Sequence, residues 1–116
     1  MTPYRVERSR QALSDLDAVY DFLHDAYVQF GESSAEATSR AEKRVRGVAA
    51  SMRALGDTPR QGTRLDKLAP HLRRVTKDRA VFYFTVNTER RVVRVLAVFF
   101  GGQDHQSEML KRAMKE

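Results

Sequence analysis

Ala80-Val81-Phe82-Tyr83-Phe84-Thr85-Val86 is the run on which the architecture turns. It is almost wholly apolar and drawn from the β-branched and aromatic types that suit a pleated surface. A strand without polar alternation needs cover on both faces, so this one is predicted at the centre of a sheet. Asn87-Thr88-Glu89-Arg90 after it has the composition of a hairpin turn, and Val92 to Phe100 reads as the last strand. Upstream, His71 to Lys77 alternates, with Leu72, Arg74 and Thr76 on one face and His71, Arg73, Val75 and Lys77 on the other. Gly101-Gly102 breaks the last strand, and Gln103 to Lys115 reads as a short terminal helix carrying Met109, Leu110 and Met114.

Further toward the N-terminus the period changes from two to between three and four. Tyr4 to Arg8 alternates and predicts a short first strand. Ser9 is placed to cap a helix whose stripe is Leu13, Leu16, Tyr20, Leu23, Tyr27 and Phe30, with Asp15, Asp17, Asp21 and Asp25 turned to water and Gly31 at its end. Ser33 and Glu36 have capping-box spacing and open a second helix with the stripe Ala41, Val45, Val48, Met52 and Leu55. A linker of a few residues folds the two helices into an antiparallel hairpin. Pro59, Gly62 and Pro70 mark residues 56–70 as loop. The order β-α-α-β-β-β-α predicts an α+β fold: an antiparallel β-sheet with an α-helical hairpin packed on one face, in one domain over residues 1–116.

Composition narrows the function classes. The 116 residues contain no cysteine, which removes disulfides and thiolate metal sites and suits a reducing cytoplasm. His24, His71 and His105 lie far apart, without metal-ligand spacing, and no cofactor or metal is expected. Neither an apolar leader nor a membrane-spanning run is visible, so a soluble cytoplasmic protein is expected. The net charge of +6 is unevenly spread. Residues 1–39 hold 3 Lys/Arg and 7 Asp/Glu, while residues 40–116 hold 18 and 8. Such polarity presents a basic face to something acidic, either nucleic acid or an acidic protein segment.

This order of elements, with the phrases it carries, resembles the RelE/ParE superfamily of type II toxin–antitoxin toxins. The matching pieces are Tyr4-Arg5-Val6 leading to Ser9, with Ala12, Leu13 and Asp15-Leu16; Pro59-Arg60-Gln61-Gly62; Leu72-Arg73-Arg74; the run Val81 to Val86; and Val95-Leu96-Ala97-Val98 followed by Gly101 and Asp104-His105. Together they span most of the chain. The resemblance implies a cognate antitoxin whose segment wraps the toxin in a hetero-oligomer. It also implies one of two targets: DNA gyrase, poisoned by the ParE-like branch, or messenger RNA on the ribosome, cleaved by the RelE-like branch.

The chemistry discriminates between the branches. Cleaving RNA through its 2′-hydroxyl needs a base, an acid and cations around the phosphate. In the RelE-like branch these come from basic groups on the second strand, an Arg opening the third, an Arg after the fourth and a Tyr on the terminal segment. Here the second strand offers Arg74, but Val81, Gln103 and Met109 occupy the other positions. A valine cannot neutralise a phosphate, and a methionine cannot carry a proton. Arg74 and His105 remain as weak catalytic candidates, and His105 with Asp104 is read first as a cap that orients the terminal helix.

The resemblance and the residue pattern together predict a ParE-like toxin acting by binding, with a RelE-like ribosome-dependent endonuclease as the alternative. A degenerate toxin kept only to bind antitoxin is the third reading. The surface expected to bind target or antitoxin comprises Arg73, Arg74, Lys77, Arg79, Arg94, Phe99, Phe100, Gln103, Asp104, His105, Met109 and Leu110. Phe99, Phe100, Leu110 and Met114 are expected to be partly exposed, because the strands carry more apolar surface than one helical hairpin covers.

Overall fold

A computed structural model describes residues 3–101 and 104–114. Strand β1 (Arg5–Arg8) leads into helix α1 (Arg10–Gln29), which is followed by α2 (Ser34–Arg53) and a short 3-10 turn (Ala54–Gly56). Strands β2 (Thr63–Arg64), β3 (Leu72–Lys77), β4 (Ala80–Asn87) and β5 (Val92–Phe100) follow, then helix α3 (His105–Met114). The sheet order is β1-β5-β4-β3-β2, so the apolar run does sit in the middle.

The sheet is mixed, not antiparallel as expected. Strands β2 to β5 are antiparallel neighbours, but β1 runs parallel to β5, with Arg5 opposite Val92 and Arg8 opposite Val95. A parallel neighbour needs a long crossover. Here the helical hairpin and the whole meander lie between the two strands. The loop over 56–70 also contains β2, which pairs Thr63 with Arg74 and Arg64 with Arg73.

Local chemistry fixes each element. The Ser9 hydroxyl accepts from Ala12 N–H at 3.0 Å, capping α1. It also donates at 3.2 Å to the carbonyl of Leu96, the extra residue where the β4–β5 register shifts between Tyr83 and Phe84. The Ser33 hydroxyl accepts from Glu36 N–H at 3.2 Å and starts α2. Gly56 is required by a close approach, since a Cβ there would lie 2.2 Å from the Tyr4 carbonyl oxygen. The β3–β4 turn places Asp78 (φ 50°) and Arg79 (φ 69°) in the left-handed region. Arg44 holds it by donating to the Asp78 carbonyl at 2.6 Å, and Gly101 N–H by donating to the Arg79 carbonyl at 2.6 Å.

The core has two layers divided by the sheet. Val19, Leu23, Val48, Met52 and Leu55 from the helical side pack on Phe82, Phe84, Val93, Val95 and Phe100. On the opposite face, Leu72, Val81, Tyr83, Ala97, Phe99 and Met109 form a second cluster, flanked by Leu65, Leu68, Ala69 and Leu96. Each fully buried Phe contributes roughly 1.5–3 kcal/mol, so covering both faces of β4 stabilises the sheet where it is most apolar.

Most of the expected α1 stripe packs on the core, with Leu23 buried and Leu16, Tyr20 and Tyr27 partly buried against it, but its two ends do not. Ala12, Asp15, Val19 and Leu23 are buried, whereas Leu13 faces water and Phe30 is 88% exposed. Asp15, expected in water, is 5% exposed.

Candidate functional site

The second cluster carries the candidate site. Arg74 on β3 stands opposite Tyr83 on β4, so both project from the face that α3 covers. The Tyr83 hydroxyl is 2.9 Å from His105 Nδ1 at the start of α3. Phe99 meets the Tyr83 ring edge-on at 5.9 Å and lies 6.1 Å from the imidazole. Burial holds the His105 pKa below its ordinary value, and the positive charge of Arg74 adds to that, with Asp104 opposing. The imidazole is therefore neutral at neutral pH. Asp104 accepts from Ser107 N–H at 3.3 Å through its side chain, the geometry of a helix cap.

The other end of α3 is fixed by charge. Arg112 Nη1 and Nη2 donate to Asp15 Oδ2 and Oδ1 at 2.9 and 2.8 Å. Asp15 Oδ2 also accepts Val98 N–H at 2.9 Å, so one carboxylate ties α1, β5 and α3 together. The guanidinium lies 4.9 Å above the Phe99 ring, and its hydrogen bond to Asp15 raises the Arg112 pKa further. Beside α3 runs a groove of about 550 Å³ floored by Leu96 and Met109, with Arg94 at its rim.

The expected site residues divide into groups. Arg74, Phe99, Asp104, His105 and Met109 come together around α3. Arg94 is exposed at the groove beside them, and Leu110 is 50% exposed. Arg73 points to the opposite face, as strand alternation requires, and donates to the Arg60 carbonyl at 2.8 Å. Lys77 and Arg79 lie at the β3–β4 turn. Gln103 lies outside the described residues, as does the Met114 side chain.

Phe99 and Phe100 are buried, which corrects the expectation of exposure. Helix α3 covers Phe99, while Phe100 turns to the helical hairpin near Phe22 and Arg44. Sequence reasoning missed Asp15 and Arg112. The signal was available for Asp15, which follows Ala12 by three positions and precedes Val19 by four, on the buried side of α1.

Among the described residues no group of three His, Asp or Glu side chains is placed to hold a metal, and no helix is long and apolar enough to cross a membrane. Beside the Tyr83 phenol and the His105 imidazole this face carries the guanidinium of Arg74, with Arg112 held on Asp15 and Arg94 at the groove.

No protein-family model matches the chain, and no curated protein is significantly similar to it. Solved structures are similar in fold. A chain of the chromosomal ParDE TA system from P. aeruginosa superposes with a TM-score of 0.61 at 22% identity, covering 84% of this chain and 96% of that one. The toxin–antitoxin complex RelBE2 from Mycobacterium tuberculosis gives 0.57 at 14% identity, covering 85% and 99%. A mutant of the E. coli toxin RelE in the free state gives 0.60 at 15% identity, covering 98% and 97%. An α-helical hairpin on one face of a five-stranded mixed sheet, with a terminal helix on the other, gives this chain the fold of the RelE/ParE toxins.

Proposed function

We propose that the chain is the toxin of a type II toxin–antitoxin pair, neutralised by a cognate antitoxin, and that it acts in the ParE-like manner by binding and inhibiting a macromolecular target, DNA gyrase. The toxin reading is supported by the fold, which it shares with solved toxins and toxin–antitoxin systems. The observation that carries the ParE-like reading is the packing of Met109 of α3 in one apolar cluster with Val81 and Phe99 of the sheet. Phosphodiester cleavage needs several charged groups around one scissile phosphate. Here apolar side chains fill the space beside Tyr83, and Nδ1 of the nearby imidazole is already bonded to the phenol.

A second reading rests on one specific observation. Arg74, Tyr83 and His105 share a face, and a neutral imidazole beside a cation has the composition of a general base next to a phosphate anchor. In that reading the protein is a RelE-like, ribosome-dependent messenger RNA endonuclease.

Expression of the protein without antitoxin separates the two. The ParE-like reading predicts filamentous cells, a DNA-damage response and intact messages, with His105→Ala still toxic. Rapid translation arrest with cut messages, lost in a folded, antitoxin-binding His105→Ala protein, would establish the nuclease instead.

A further inference from the structure

Away from α3, on the hairpin side of the sheet, three arginines and a histidine surround a small cleft. Arg60, Arg64, His71 and Arg73 line it together with Val86 and Thr88, and it encloses about 150 Å³. Arg73 stands opposite Phe84, which places it on the sheet face away from His105. The cleft is therefore separate from the candidate site around α3.

The groups are held in place by the backbone. Arg64 pairs with Arg73 across β2 and β3, so their side chains are carried together by the sheet. Arg73 donates to the Arg60 carbonyl at 2.8 Å, which pins the loop carrying Arg60. His71 is held in the left-handed region at φ 62°, between Leu72 N–H bonded to Ala69 O at 3.2 Å and the start of β3. A non-glycine residue there is strained, and strain of this kind persists where surrounding structure over-determines it.

The charge of the cleft is only partly compensated, because Asp66 sits against Arg64 and His71 and leaves Arg60 and Arg73. Asp66 pairs with Arg64 at 3.0 Å, and that hydrogen bond holds its carboxyl below the usual aspartate value. Among the described residues no carboxylate pairs with Arg60 or Arg73, and Glu89 in the β4–β5 turn does not line the cleft. Repulsion between guanidiniums gathered this way is relieved by an anion.

We propose that this cleft is a phosphate-binding subsite that takes one phosphodiester of a single-stranded nucleic acid. A tetrahedral phosphate presents oxygens in several directions and suits a cleft lined by arginines from a loop and two strands. A carboxylate has only two oxygens, lying in one plane, and Arg64 already has one on Asp66. The Thr88 hydroxyl at the rim supplies a neutral donor. The proposal does not rest on the toxin reading, because it needs neither a nuclease nor an antitoxin.

Amide and arginine side-chain NMR of the full chain tests it, with inorganic phosphate, a short oligothymidylate and a short polyglutamate titrated separately. Phosphate and oligothymidylate are expected to shift Arg60, Arg64, His71, Arg73 and Thr88 together, with oligothymidylate the tighter. Arg60→Gln, an exposed loop change, should weaken oligothymidylate binding about tenfold and lower its salt slope by about 0.7, the value for one lost single-strand contact. Arg46→Gln on α2 should do neither. Arg64→Gln, checked for an unchanged melting curve, should repeat the Arg60 result. Shifts with inorganic phosphate alone would mean a free-phosphate site and overturn the nucleic-acid assignment. Shifts with polyglutamate alone, or none at these residues, would overturn the proposal entirely.

Discussion

Arg112 on α3 grips both carboxylate oxygens of Asp15 on α1, at 2.8 and 2.9 Å, across 97 positions of sequence. The Asp15 side chain is buried, and it also accepts the Val98 amide of β5. The pair fixes a helix that otherwise sits on the sheet through Met109 and the Tyr83–His105 bond. Removing one partner of a buried pair is far more damaging than the pair is stabilising, because the other charge is stranded. Asp15→Ala is therefore expected to cost about 3 kcal/mol in urea unfolding. Arg112→Met leaves Asp15 its Val98 amide, and should cost less. In both variants amide exchange should speed up first over residues 105–114.

His105 gives the protein a pH dependence with a definite sign. Burial and Arg74 lower its folded pKa below 6.5. The unfolded chain therefore takes up this proton first as pH falls. The His105 contribution is fully present above pH 6.5 and is lost as pH drops from there through the folded value. Urea unfolding between about pH 7.5 and 5 should show stability falling with pH, and His105→Gln should flatten that slope. A slope of the opposite sign would contradict the packing of the imidazole against Tyr83 and Phe99. Tyr83→Phe should cost about 1 kcal/mol, the net worth of one hydrogen bond.

Arg79 is strained by its turn. Its φ of 69° is costly for a residue with a Cβ, by about 1–2 kcal/mol. Arg79→Gly removes that cost but enlarges the freedom of the unfolded chain. The expected outcome is a modest stabilisation of about 0.5 kcal/mol by thermal unfolding.

Two neighbours on α3 should separate folding from binding. Met109 is buried in the second cluster, so Met109→Ala should cost about 2–3 kcal/mol. Leu110 is half-exposed, so Leu110→Ala should change stability by less than about 0.5 kcal/mol. If an apolar antitoxin segment docks beside α3, Leu110→Ala should still weaken the complex, measured by calorimetry with the cognate antitoxin.

Much of this fold was legible as periodicity. The unbroken apolar run at β4 announced a strand covered on both sides, and the Ser9 and Ser33 caps were readable from spacing. The direction of β1 was not, because alternation is the same whichever way a strand runs. Strand β2 has only two residues, too few for any period. On α1 the middle of the stripe was legible, since Leu16, Tyr20, Leu23 and Tyr27 pack on the core, but at its ends Leu13 and Phe30 outweighed the small residue Ala12, which is buried. The Tyr83–His105 and Asp15–Arg112 pairs join distant segments, and a single sequence offers no local signal for such contacts. The basic cleft was half visible: Arg73 was marked, but Arg60, Arg64 and His71 meet it only once β2 pairs with β3.

Purified protein added to gyrase and, separately, to ribosomes translating a defined message tests the proposed mode of action most directly. Loss of supercoiling with the message left whole is the predicted result. Codon-positioned cuts in the message, with supercoiling untouched, would contradict it.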